Sequence, residues 1–227
     1  MRNILFLLIS FLQLVPFISH GQGKEMLIEQ IAGKKIEREN FDKNGQLLGK
    51  QLFIIGELSQ AGETYKVDVV TELYNEKGQL NEKYSTTFQC NPKEFDVLLN
   101  VFPFSDPDDE KIKVEVISRD FKQLYDLQSS KSKSLKDIEL KMSIESGVLS
   151  FFGSKSLVTI KNRNRKTENG KVNITSTAVI EAYIMGIKIK TINYTVEEYL
   201  TEGYVLLSQK FTEDDGAYFT MSYNDAN

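Results

Sequence analysis

From Lys35 onward, apolar and polar residues alternate in period two through most of the chain. Val67, Val69, Thr71 and Leu73 share one parity, while Lys66, Asp68 and Glu72 share the other. Leu80, Tyr84, Phe88 and Cys90 alternate with Asn81, Lys83, Ser85, Thr87 and Gln89. Ile112, Val114 and Val116 repeat the pattern, as do Ile138, Leu140, Met142 and Ile144. Successive side chains of a strand point to opposite faces, so this alternation predicts strands with one buried and one wet face. From Val172 the apolar residues Ile174, Ala178, Ile180, Ala182 and Ile184 fall on even positions. After Met185-Gly186 they fall on odd ones, Ile187 and Ile189, and at Ile192, Tyr194 and Val196 the parity is even again. Each change of phase needs a turn, a bulge or an exchange of faces. Bulges bend a sheet, so the pattern predicts strong curvature.

Turn signals separate these runs. Phe41-Asp42-Lys43-Asn44-Gly45-Gln46-Leu47 is echoed by Tyr74-Asn75-Glu76-Lys77-Gly78-Gln79-Leu80. An aromatic residue, a polar turn, Gly, Gln and Leu recur in register. The glycine supplies the positive φ of a tight hairpin turn. Phe211-Thr212-Glu213-Asp214-Asp215-Gly216 reads as a third, looser copy that is one residue longer. Asn169-Gly170 marks a further hairpin. Strands are expected at 35–41, 46–58, 157–161 and 204–210, and a final one at 217–223. One stretch has a different period. Asn91 is a helix N-cap candidate, Pro92 suits the first helical position, and Phe95, Leu98, Leu99 and Phe102 form one apolar stripe. This predicts a short helix at about 92–102, ended by Pro103.

Residues 1–21 read as a signal peptide. Met1-Arg2-Asn3 is followed by a mostly apolar run from Ile4 to Phe17, then by Ser19-His20-Gly21. A basic start, an apolar middle and a small-residue exit direct export, with cleavage expected after Gly21. No later stretch reaches a transmembrane length. Residues 22–227 are expected to form a single β-rich domain, with two halves meeting near the small, polar stretch 128–134 as the variant of that reading.

Composition narrows the chemistry. The formal net charge is −4, which gives no reason to expect a nucleic-acid partner. The only histidine is His20, within the signal peptide, and the only cysteine is Cys90. The exported chain therefore cannot use Ser-His-Asp or Cys-His catalysis, a histidine zinc site or an intramolecular disulfide. No metal, cofactor or catalytic residue is expected. Cys90 shares parity with Tyr84 and Phe88 and reads as a buried thiol, with an intermolecular disulfide as the alternative. The acidic stretch Asp106–Glu110 lacks the ligand spacing of a calcium loop. Lys161, Arg163, Arg165 and Lys166 read as the wet face and tip of a hairpin. Glu197 and Glu198 are adjacent on a strand and point to opposite faces, so they are not a catalytic pair.

The order of the turn and strand-end motifs carries a resemblance. Gly33-Lys34-Lys35-Ile36-Glu37 enters a strand, followed by Phe41-Asp42 with Gly45 and Gly49, then by Tyr74-Asn75 with Gly78 and a strand ending at Cys90. Met185-Gly186 and Glu198-Tyr199, with Gly203 and Leu206, continue the order. The chain resembles the TapB-like family of exported proteins of Gram-negative bacteria. The resemblance implies an antiparallel, curved β architecture similar to the half-barrels of periplasmic lipoprotein carriers, and no established activity.

The expected fold is mainly β: a curved antiparallel meander or half-barrel with one short helix, a β-sandwich being the alternative. The expected function is non-enzymatic, in the periplasm or secreted. An apolar or lipid-like ligand would lie on the curved sheet, lined by Phe53, Ile55, Tyr84, Phe88, Phe95, Leu98, Leu99 and Phe102. The other reading is an assembly factor that meets an envelope protein through an edge strand or the basic hairpin. Mass spectrometry of the protein recovered from its native envelope should find Gln22 at its N-terminus. A chain retaining Met1 would overturn the signal-peptide reading.

Overall fold

In the computed structural model of the protein, residues 31–62, 64–90, 112–116, 133–144, 155–203 and 205–225 are described. They form twelve strands. In chain order these are β1 (Lys34–Phe41), β2 (Leu47–Ile55), β3 (Ser59–Ala61), β4 (Thr64–Asn75), β5 (Leu80–Cys90) and β6 (Ile112–Val116). Then come β7 (Ile138–Ile144), β8 (Lys155–Glu168), β9 (Lys171–Ile184), β10 (Ile187–Thr201), β11 (Leu206–Glu213) and β12 (Tyr218–Asp225). The expected helix at 92–102 and the stretch 128–132 lie outside the described residues.

All twelve strands belong to one sheet, in the order β3-β4-β2-β1-β12-β11-β10-β9-β8-β7-β6, with β5 on the free side of β4. Every pairing is antiparallel. The sheet is a curved meander that does not close into a barrel, and it is not a sandwich of two sheets. The N-terminal strand β1 pairs with the C-terminal strand β12, from Lys34 opposite Asp225 to Phe41 opposite Tyr218. Strands β5 and β6 follow one another in sequence, yet stand at opposite ends of the sheet.

The alternation in the sequence becomes the two faces. Ile36, Phe53, Ile55, Val67, Val69, Val158, Ile174, Ile180, Val196, Phe211 and Met221 join one buried cluster that runs across the sheet. The other face carries charge. Lys83 sits 2.8 Å from Glu72 and Lys188 sits 2.8 Å from Glu181. A Glu-x-Tyr pattern recurs on it: the hydroxyls of Tyr74, Tyr183 and Tyr199 donate to Glu72, Glu181 and Glu197. These pairs lie at the solvent boundary, partly buried or exposed, and contribute little stability each.

The three related turns share one hydrogen-bond pattern. Asp42 N donates to Gln46 O and Gly45 N to Asp42 O. Asn75 with Gln79 and Gly78, and Glu213 with Ala217 and Gly216, repeat both bonds. Gly45, Gly78 and Gly216 all have positive φ. The third copy is therefore equal in length to the others. Thr212, not Phe211, stands where Phe41 and Tyr74 stand.

Four further expectations are revised. The strand expected over 46–58 ends at Ile55: Gly56 N still bonds Asp68 O at 2.7 Å in the β2–β4 register, but the Gly56 carbonyl accepts from Gly33 N. Leu80 is 52% exposed, since the β4–β5 register shifts between Leu73 and Tyr74 and takes it off the buried face. The strand expected over 157–161 continues as β8 through Glu168. Arg163 is buried, not wet: the β8–β9 register shifts between Lys161 and Asn164, and Asn162 adopts φ 55°. The phase changes near Gly186 resolve as expected from the pattern. Met185 and Gly186 both take positive φ in a two-residue turn, and the register shifts again between Lys188 and Lys190.

Two glycines separate backbone strain from crowding. A Cβ on Gly78 would meet nothing within 4 Å, whereas one on Gly49 would lie 2.9 Å from the backbone oxygen of Tyr74. Gly78→Ala should cost about 1 kcal/mol through its positive φ. Gly49→Ala should cost about 2–3 kcal/mol by forcing β2 from β4. Urea denaturation measures both, and equal losses would contradict the crowding argument.

Candidate functional site

The buried face is not uniformly apolar. One transverse row of positions crosses it, from Leu73 through Gln51, Arg38, Met221, Gln209 and Glu198 to Ile174. Cross-strand partners share a face, so these residues line up side by side. Arg38, Gln209 and Glu198 are buried within this row. The rows on either side are largely apolar, with Phe53, Ile36 and Tyr223 on one side and Phe219, Phe211 and Val196 on the other. The result is a polar belt across an apolar face.

Part of the belt is internally satisfied. The Tyr223 hydroxyl donates to Gln209 Oε1 at 2.6 Å, and Gln209 Nε2 donates to Glu198 Oε1 at 2.7 Å. Outside the row, on β8, Arg163 Nη1 donates to the Lys136 carbonyl at 3.2 Å. Burial holds the Tyr223 hydroxyl well above its ordinary pKa, with the Glu198 carboxylate adding to the effect. The Ser176 hydroxyl is buried without a hydrogen-bond partner.

Arg38 is placed differently. It is 7% exposed, and its Nε and Nη1 have no hydrogen-bond partner. Its guanidinium carbon lies 4.0 Å from the centre of the Phe219 ring. Phe219 stacks on Phe211 at 4.5 Å, and Tyr194 meets both rings edge-on. The cation therefore rests on an aromatic platform, which partly replaces lost water. Burial lowers the Arg38 pKa to about 10, offset in part by Tyr194. Burial, together with Glu213, pushes Tyr194 up to about 12.

The candidate lining residues divide. Phe53 and Ile55 sit on the buried face of β2, with Val67 and Val69 in the same cluster. Tyr84 is half-buried opposite Thr71. Phe88 and Cys90 pair through their backbones with Val67 and Tyr65, and their side chains lie outside the described residues. Phe95, Leu98, Leu99 and Phe102 also lie outside them. The belt was missed, although a signal was present. Arg38, Glu198 and Gln209 share parity with Ile36, Val196 and Phe211, so each is a polar residue on an apolar register.

Among the described residues, no group of three His, Cys, Asp or Glu side chains could hold a metal ion. No helix there is long and apolar enough to cross a membrane. No family model matches the chain, and no curated protein does. Two solved structures are similar in fold. A protein of Bacteroides fragilis designated as exported, with a YmcC-like fold, is 11% identical. The match covers 85% of this chain and 94% of that one, with a TM-score of 0.47. A protein of Parabacteroides distasonis designated a lipoprotein is 12% identical, with 86% and 94% covered and a TM-score of 0.45. The TapB-like resemblance rests on the turn and strand-end motifs.

Two substitutions probe the belt. Tyr223→Phe removes one donor and should cost about 1–2 kcal/mol, while Gln209→Leu removes both links and should cost more. Thermal or urea unfolding would show the order, and the reverse order would deny that Gln209 is the hinge of the network. Tyr194 gives a pH dependence. Its folded pKa is raised from 10 to about 12, so its stabilising contribution is complete below pH 10 and is lost as pH rises toward 12. The lowered pKa of Arg38 acts with opposite sign over the same range. Comparing unfolding of the wild type with Tyr194→Phe between pH 9 and 12 isolates the tyrosine. The wild type should lose stability relative to the variant as pH rises.

Proposed function

We propose that this is an exported, non-enzymatic binding protein whose curved sheet holds an apolar or lipid-like ligand. The observation that carries this reading is the buried face itself. One buried cluster extends over neighbouring strands from Val67 and Val69 on β4 to Val158 on β8, with the polar belt crossing it. A sheet bent around such a face, and left open between its outer strands, is suited to receive an acyl chain.

Two features support it. The face continues into water at the β9–β10 hairpin, where Ile187 pairs with Ile184 and is 69% exposed. That continuity offers an apolar path between solvent and interior. Phe53 and Ile55 are the proposed lining on the described side, with Tyr84 on β5 in the row of Phe53, across Thr71 of β4. Phe88, Phe95, Leu98, Leu99 and Phe102 complete the proposed set. The proposed export rests on the reading of residues 1–21 as a signal peptide.

Native mass spectrometry of protein purified from its own envelope tests the reading. A co-purifying mass of lipid size, removable by organic extraction and restored by added lipid, is expected. A ligand-free species that also ignores added lipid would overturn it.

A further inference from the structure

We infer that Arg38 is the receptor for a monoanionic headgroup, and that the ligand is a carboxylate-headed acyl chain of the fatty-acid class. The inference deepens the proposed lipid-binding reading and rests on it. Three observations converge on this residue. Arg38 stands on the buried face of β1, between the apolar rows of Ile36 and Phe219. Its Nε and Nη1 are out of contact with water and have no hydrogen-bond partner. The Phe219 ring supports the guanidinium at 4.0 Å.

A guanidinium keeps its charge at neutral pH, and a buried cation is strongly penalised unless an anion meets it. The carboxylates of the same region are engaged elsewhere. Glu198 accepts from Gln209, Glu213 accepts from Tyr194, and Glu37 pairs with Lys50 on the opposite face. An aromatic platform lowers the cost of holding the cation in place but leaves its N–H groups without acceptors. A ligand carboxylate supplies those acceptors through charge-assisted hydrogen bonds. Its chain would then lie along the apolar rows beside the belt. Charge selects the headgroup: one guanidinium balances one negative charge, and Glu198 in the same row disfavours a dianion such as phosphate.

The test uses the complete delipidated exported chain and direct calorimetric titration with palmitate, hexadecanol, sodium acetate and inorganic phosphate. Palmitate should bind about 10–100-fold more tightly than hexadecanol, the value of hydrogen bonds to a charged group. Acetate and phosphate should bind far more weakly than palmitate. Arg38→Met should bring palmitate down to the affinity of hexadecanol and leave hexadecanol unchanged, and Arg38→Lys should keep part of the preference. Circular dichroism and melting temperature check the variants, and the wild-type comparison stands without them. Equal wild-type affinities for palmitate and hexadecanol would overturn the role of Arg38 while leaving the apolar site intact. Binding of neither would overturn the lipid reading itself. Phosphate or acetate binding as tight as palmitate would assign the site to a free anion and overturn the headgroup inference.

Discussion

The pairing of β1 with β12 is the constraint on which the sheet depends. It joins two meanders, β1 to β5 and β6 to β12, that are otherwise consecutive hairpins. Hairpins close short loops, but this ladder brings together residues 34–41 and 218–225 from the two ends of the described chain. Loop-closure entropy grows slowly with length, so the cost is set mainly by the first contacts made. Those contacts include Ile36 opposite Tyr223 and the stacking of Phe41 on Tyr218 at 4.7 Å. Long-range strand pairing of this kind is slow to form, since no local contact rewards the search. Once formed, it makes the two buried faces one. Phe53 and Ile36 come to lie beside Tyr223, Phe219 and Phe211, and the polar belt becomes continuous.

The belt has a cost that an all-apolar core would avoid. Gln209 links Tyr223 to Glu198, so those groups recover much of the hydration they give up. Arg38 does not, and its aromatic support offsets only part of the penalty. Natural chains depart from local rules chiefly where a function is served. Within the row, that contrast separates Arg38 from Gln209 and Glu198. The opposite pKa displacements of Arg38 and Tyr194 express the same environment: each is driven toward its neutral form by loss of water.

Much of the architecture was legible because turns and strand faces are local. Asp42 to Gly45 and Asn75 to Gly78 specify their own turns through a polar side chain and a positive-φ glycine. The even and odd runs from Val172 to Val196 indicated a turn and a bulge, and both are present. The misreadings also have local causes. The third turn was displaced by one residue because Phe211 resembles the aromatic position more than Thr212 does, whereas the backbone bonds settle the alignment. Leu80 was assigned by parity and Arg163 by its place in a basic run, and a register shift lies next to each. A single bulge is silent in a one-dimensional pattern when neither glycine nor a change of residue type marks it.

The amino-acid sequence by itself determined the strands, the turns between them, and which residues of each strand prefer to leave water. It did so because side-chain alternation and glycine conformation act over a few residues. Only the tertiary structure decided which strands are neighbours and therefore which polar groups meet. Arg38 is far in the chain from Gln209 and Glu198, and each alone reads as an ordinary polar residue of a strand. The ladders from β1 through β12 and β11 to β10 place them in one row. Whether a buried charge has a partner depends on which strands lie alongside, and no local preference encodes that.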